Sequence, residues 1–317
     1  MRIGLMVGPD PGRYRESVAK LEADAVAAEA AGFASIWIAQ PPDDFDALTG
    51  VALMGRVTNR IEIGTAVVPL QSRHPVAMLQ QVLSTQAVCE GRLTLGVGPS
   101  HHWVIEDMLG LPYEKPARLV RSYLEVLHAG LSGPGPVDVE NEHFRVHNPL
   151  AITDITPTPV VLAALAPLML KIAGTTADGT VLWMADAHNI GEHIAPSITK
   201  AAADAGRRAP RIVAGVPVTL CRKDEVESAR EWARKAMSHS EYSPNYERLL
   251  EHGDATDAGD FLVAGDEADV RASLERYRDA GVTDFSARLL PYGKTREARI
   301  ESRDRTTAYL ASLCPEL

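Results

Sequence analysis

The chain has 317 residues, 45% of them apolar, and a formal net charge of −10. That size and apolar share suffice for a full core and exclude bulk disorder, while the negative balance argues against nonspecific nucleic-acid binding. No apolar run approaches the roughly 20 residues that span a bilayer, the N-terminus has no signal-peptide layout, and scattered Cys89, Cys221 and Cys314 suit a reducing cytoplasm.

Residues 2–7 read as a strand that opens the chain. Residues 15–31 place Val18, Leu21, Ala25 and Ala28 on one helical face, and Gly32 stands where that helix would end. A second strand at 35–39 and a helix at 46–56 follow, then a third strand at 61–68 and a helix at 75–89 with Pro75 in its first turn. The fourth strand is 93–97, and 116–131 is helical. The breaker at 132–136 then changes the rhythm: 132–158 contains no convincing helix, and 137–146 suits a hairpin around Glu140-Asn141. Alternation resumes with a strand at 160–164, a helix at 168–176 and a strand at 180–184. A helix at 191–205, a strand at 211–220 and a charged helix at 223–238 come next. Residues 240–259 are polar, with Pro244 and two glycines, and read as a second, mobile excursion. Asp266 caps a helix at 268–280, 282–290 is the eighth strand, and 296–313 is a terminal helix.

Eight strands, nearly each followed by a helix, predict a single-domain (β/α)8 barrel over 1–317, with functional loops at the carboxyl ends of its strands. A doubly wound sheet is the alternative, but the G-x-G-x-x-G dinucleotide fingerprint is missing. The sharpest breaks follow strands three and four, where Gly64, Pro69, Gly96, Gly98 and Pro99 interrupt Ile, Val and Leu runs. Glycines there let a flat ligand lie against bare backbone. The strand ends offer Gln40, Thr65, Arg73, His74, Ser100, His101, His102, Trp103, Trp183, Asp186 and His188. His101, His102, His188 and His193 lack metal-site spacing, and no G-x-S-x-G elbow supports a serine nucleophile. The strand and small-residue turn at 158–167 lead into a helix start, whose backbone N–H groups favour an anion such as phosphate.

In order along the chain, residues 28–37 (AEAAGFASIW), Gly64 to Val67, Arg73-His74-Pro75, 91–98 (GRLTLGVG), Tyr113, 123–127, Ala173-Gly174, 177–179, 265–267 and 280–282 resemble the bacterial luciferase-like superfamily, in particular its coenzyme F420-dependent oxidoreductases. The resemblance covers nearly the whole length. It implies a barrel with an insertion, a homodimer, and F420 (alternatively FMN) bound at the carboxyl end of the strands. It further implies a nonprolyl cis peptide at Gly64-Thr65, with Thr65 and Ala66 behind the ring. The cofactor phosphate would lie near Ala163, Ala164, Leu165 and Ala166, while Gln40, Gly98, Pro99, Ser100 and Trp183 line the cleft. Sugar-phosphate-oxidising members carry an Asp-His pair after strand two and a Glu after strand four; here the matching positions are Gln40-Pro41 and His101, so that activity is not expected. His101, which titrates near neutral pH, becomes the candidate proton donor for hydride transfer to an unsaturated small molecule. An FMN-dependent monooxygenase and a catalytically silent flavin-binding protein are the competing readings.

Overall fold

The structure, a computed structural model, describes residues 1–8, 14–133, 135–152, 156–237 and 244–316. Its first half runs β1 (Arg2–Val7), α1 (Tyr14–Ala30), β2 (Ser35–Ile38), α2 (Ala47–Val57), β3 (Glu62–Thr65), β4 (Val68–Pro69), α3 (Pro75–Val88), β5 (Leu93–Gly98) and α4 (Pro116–Leu131). An antiparallel hairpin, β6 (Val137–Glu140) and β7 (Arg145–Asn148), interrupts the alternation. The second half continues with β8 (Val160–Ala163), α5 (Pro167–Thr176), β9 (Gly179–Trp183), a short α6 (Ala187–Asn189) and α7 (Ala195–Asp204). It ends with β10 (Arg211–Leu220), α8 (Val226–Met237), α9 (Pro244–His252), β11 (Val263–Gly265), α10 (Glu267–Asp279), β12 (Asp284–Leu289) and α11 (Arg296–Leu313).

Parallel strands close in the order β1-β2-β3-β5-β8-β9-β10-β12 and back to β1. Closure is made where β9 pairs with β10, Trp183 opposite Gly215, and where β12 pairs with β1, Asp284 opposite Arg2. This is the (β/α)8 barrel, not the doubly wound sheet. The strands read as apolar runs because both faces are covered: every residue of β5 is buried. Leu93, Leu95 and Val97 join the core between barrel and helices. Inside the barrel Trp37, Val161, Val181 and Val213 form a separate cluster, against which Ala66 and Val67 pack. Gly64 makes room for Trp37, because a Cβ there would run into the indole.

A polar network closes the amino-terminal end of the barrel. The Arg211 guanidinium reaches Glu62 at 2.9 Å and Asp284 at 3.0 Å, and Thr94 Oγ1 donates to Glu62 at 2.7 Å. Arg2 pairs with both carboxylates from β1.

Four expectations need correction. The third strand is not continuous over 61–68 but divides into β3 and β4, two residues apart. The nonprolyl cis bond is Ala66-Val67, not Gly64-Thr65: Gly64 and Thr65 stay in regular pairing with Trp37 and Ile38, and the irregular backbone falls in the gap between β3 and β4. The helix placed at 191–205 begins earlier, with α6 and a wide turn at Ile190–Ile194 before α7. The second excursion holds α9 and a 3-10 turn at Ala258–Phe261, with Tyr246, Leu249 and Phe261 buried; its residues 240–243 lie outside the described residues. β11, which extends the sheet beside the end of β10, had no counterpart in the sequence reading.

Candidate active site at the barrel mouth

At the carboxyl ends of the strands, where barrels of this kind place their functional loops, the interior cluster gives way to small residues. Gly98 lies between β3's exit and β8: a Cβ there would stand 2.9 Å from Ala163 Cβ and 3.0 Å from Val67 Cγ2. Glycine at 98 therefore lets β5 pack closely against Ala163 and Val67, where a side chain would not fit. Trp183 is half-buried and covers Gly215 on the adjacent strand. Ser100 and Met184, just beyond β5 and β9, both adopt left-handed backbone with φ of +59° and +52°. Such conformations in non-glycine residues cost energy and concentrate at functional sites.

Of the residues picked from sequence, Gly98 and Ala163 are neighbours on β5 and β8, Pro99 and Ser100 follow Gly98 in the chain, and Ala66 packs on the interior cluster. The structure gives others structural duties. Thr65 Oγ1 both donates to Gly96 O and accepts from Gly96 N, each at 2.8 Å, so this side chain ties β3 to β5 and does not face the mouth. Gln40 Oε1 accepts from Ala47 N at 3.2 Å, at the start of α2. Gly64 packs against Trp37 inside the barrel, and Ala164 is buried in the outer core. A residue not singled out, Gln71, donates through Nε2 to Pro99 O at 2.6 Å, and its Oε1 is buried with no partner among the described residues.

His101 follows the turn at Ser100. Its ring stacks on Trp103, centroids 4.2 Å apart and planes 11° from parallel. Tyr246 of α9 lies beside the His101 ring, centroids 6.0 Å apart and planes tilted by 37°. His102 is exposed and edge-on to Trp103 and Tyr113, and Tyr113 Oη donates to Ser100 O at 3.1 Å. Burial pushes the His101 imidazole below its ordinary range, and the neighbouring His102 adds to the effect. His101 is thus held toward the neutral form, with one N–H and one acceptor nitrogen. Tyr246 was missed from sequence, although Tyr246, Leu249 and Leu250 have helical apolar spacing within that polar stretch.

An anion anchor is offered by α5. Its N-cap residue Ala166 makes no side-chain cap, and Pro167 occupies the first turn. The N–H groups of Leu168 and Met169 therefore have no acceptor within the helix, and Leu168 is 54% exposed. These N–H groups follow directly on residues 163–166, which the sequence reading placed near a phosphate. Among the described residues no group of three or more His, Cys, Asp or Glu is arranged to hold a metal ion, and no helix is long and apolar enough to cross a membrane. A groove of about 620 Å³ lined by Cys221, Asp266, Arg305 and Tyr309 lies outside the barrel wall and includes none of the residues picked from sequence.

The luciferase-like monooxygenase family matches residues 1–284. A Mycobacterium tuberculosis protein provisionally assigned as a coenzyme F420-dependent oxidoreductase is 30% identical over 194 residues, which are 56% of this chain; the match spans about half, 54%, of that relative's length. The 5,10-methylenetetrahydromethanopterin reductase of Methanopyrus kandleri is 25% identical over 86% of this chain and 89% of its own. The solved coenzyme F420-dependent tetrahydromethanopterin reductase from that organism superposes with a TM-score of 0.71 at 22% identity, covering 95% of this chain and 96% of the other. The FMN-bound oxygenating constituent of 3,6-diketocamphane monooxygenase from Pseudomonas putida gives a TM-score of 0.74 at 16% identity, covering 100% and 99%. Likeness at those identities establishes the fold alone. With nearly the whole barrel matched in sequence, the chain belongs to the luciferase-like monooxygenase family.

Proposed function

We propose that the protein is a coenzyme F420-dependent oxidoreductase acting on an unsaturated small organic molecule. The observation that carries the reading is the placing, at the carboxyl end of one barrel, of bare backbone at Gly98, an uncapped helix start at α5 and the half-buried imidazole of His101. The two relatives found by sequence support the choice of cofactor.

The residues present fit such a cofactor. A flat ring needs a shallow apolar slot with bare backbone, which Ala66, Val67, Gly98 and Ala163 supply. The buried Gln71 Oε1 is an acceptor still lacking a donor, and a ring amide N–H is a donor of the right kind. The N–H groups of Leu168 and Met169 suit a phosphate. When bound, the deazaflavin supplies a hydride donor and acceptor at its C5 position. Trp183 and Trp103 shield the mouth from water, and His101 moves the proton at an imidazole nitrogen. Since burial favours the neutral ring, His101 is present as a base, though a weaker one than a free imidazole, when substrate is oxidised, and must first be protonated before it can donate in the reductive direction.

An FMN-dependent monooxygenase is the second reading, favoured by the equal structural likeness to the FMN-bound camphane enzyme; a silent flavin-binding protein is a third. Parallel fluorescence titrations with F420 and FMN, followed by assays of reduced F420 against unsaturated acceptors, separate the three. Tight FMN binding without measurable F420 binding would overturn the first. Binding without turnover of any acceptor would favour the third. A homodimer of single-domain, cytoplasmic chains completes the proposal, its size readable by light scattering.

A further inference from the structure

The helix α9 has an unusual set of attachments. Its outer face is polar, with Glu247, Arg248, Glu251 and His252 exposed, while Tyr246 and Leu249 are buried beneath. At its carboxyl end the buried Asn189 donates through Nδ2 to Leu249 O at 2.9 Å. Asp186 Oδ2 accepts from Asp254 N at 2.9 Å and Ala255 N at 3.2 Å, while its Oδ1 accepts from Asn189 N at 2.7 Å. Gly253 sits inside this junction, and a Cβ there would collide with both Asn189 Nδ2 and Asp186 Oδ2. All these partners belong to the loop after β9. Toward its other end the same helix places Tyr246 beside His101, in the loop after β5.

In the barrel, β8 stands between β5 and β9. A helix that touches the loops of both must cross above the end of β8, from which the chain runs through residues 164–166 into α5. The dimensions agree: two inter-strand steps are about 10 Å, and seven helical residues, from Tyr246 to Gly253, rise about 10 Å.

We infer that α9 is a strap across the barrel mouth, latched by Asp186, Asn189 and Gly253, and that Tyr246 is a positioning residue that holds the His101 ring against Trp103. The inference deepens the proposed function, since it rests on His101 as the proton-moving group. The groups facing His101 are Trp103 and His102 on its own loop and Tyr246 on the strap, with Tyr113 bonded to Ser100 behind it. Burial and His102 are the influences that act on its titration, with no carboxylate among them. The cover set by Tyr246 and Trp103 therefore governs how much water reaches the imidazole. Lifting the strap hydrates it.

The test is a pH titration of the His101 ring by NMR on the cofactor-free, full-length protein, with the signal assigned through His101→Gln. Tyr246→Phe keeps the ring and should titrate as the wild type does. Tyr246→Leu and Asp186→Ala should each move the His101 midpoint up toward the ordinary value of about 6.5. Gly253→Ala, which wedges the junction without removing a polar group, should do the same and decides the matter if Asp186→Ala does not fold. Once an acceptor is found, the pH profile of kcat should shift in the same direction in these variants. An unchanged His101 midpoint in Tyr246→Leu together with either latch variant would overturn the inference and leave α9 a stabilising element only. F420 affinity is measured separately, so absent binding with the expected titrations would sink the cofactor reading and leave the strap standing.

Discussion

At the scale of single residues, the proposed chemistry turns on one imidazole, His101, whose burial opposes its charge. If His101 supplies the proton, His101→Ala should lower turnover about 10²-fold, the low end for one general acid or base. F420 affinity should change little, because ring and phosphate contact mainly small residues and backbone; steady-state rates beside a binding titration check both. The pH dependence has a definite sign. Burial lowers the His101 pKa, so the protonated form needed for reduction accumulates only below the ordinary value of about 6.5. The reductive rate should therefore climb as pH falls through that range, and the oxidative rate should hold at neutral pH. A reductive rate that fell on acidification would assign the proton to another group. Gly98→Val probes the proposed ring seat: its side chain would meet Ala163 and Val67, and F420 affinity should fall at least tenfold, or about 1.4 kcal/mol. His101 and Gly98 were legible in the sequence because they interrupt an apolar strand at its end. The roles of Thr65 and Gln40 were not, since a side chain's partner 31 residues away, as for Thr65 and Gly96, leaves no local pattern.

Secondary-structure elements show the same division between local and distant causes. Barrel strands were readable as Val, Ile and Leu runs because both faces are buried, and helix ends followed their caps: Asp46 accepts from Thr49 N, and Asp266 from Ala268 N and Asp269 N. The break between β3 and β4 escaped notice because Ala66 and Val67 are as apolar as the residues that follow them, and only pairing with β5 decides where the strand interrupts. The strap α9 escaped because its few apolar residues are diluted by polar neighbours, its burial being supplied by loops far away in sequence. Two outcomes belong at this scale. Leu168→Asp adds an acid to the first turn of α5, where it favours the helix by about 0.3–1 kcal/mol. The same charge should repel a cofactor phosphate, so thermal stability should hold or rise while F420 binding weakens. Parallel loss of both would mean that the site was merely unfolded. Thr65→Val strips Gly96 N of its acceptor inside the barrel wall and should cost about 1–3 kcal/mol in urea unfolding.

Over the whole molecule, the two ends of the barrel are built for opposite purposes. The mouth is lined with glycine, small side chains and half-exposed rings, whereas the far end is locked by Arg2, Glu62, Arg211 and Asp284. Burial alone would raise the Asp284 carboxyl, but the Arg211 guanidinium, hydrogen bonds from Arg211 and Thr283, and Arg2 hold it below the usual carboxylate range. Its contribution to stability is present above the ordinary Asp pKa of about 3.9 and is lost as pH falls through the lower folded value. Asp284→Ala should cost about 1.5–3 kcal/mol, because Arg211 loses one of its two carboxylate partners and keeps only Glu62; an unchanged urea midpoint would make the network ornamental. The locked end also sets the traffic of the enzyme. A vessel stoppered at its base has a single doorway, so the nicest fit of a reactant is also an obstruction to whatever lies deeper. If a cofactor ring seats against the interior cluster, as proposed, it would have to arrive first and leave last, with the smaller reactant coming and going above it. Kinetically this is an ordered queue, in which an excess of the second reactant should trap the first inside.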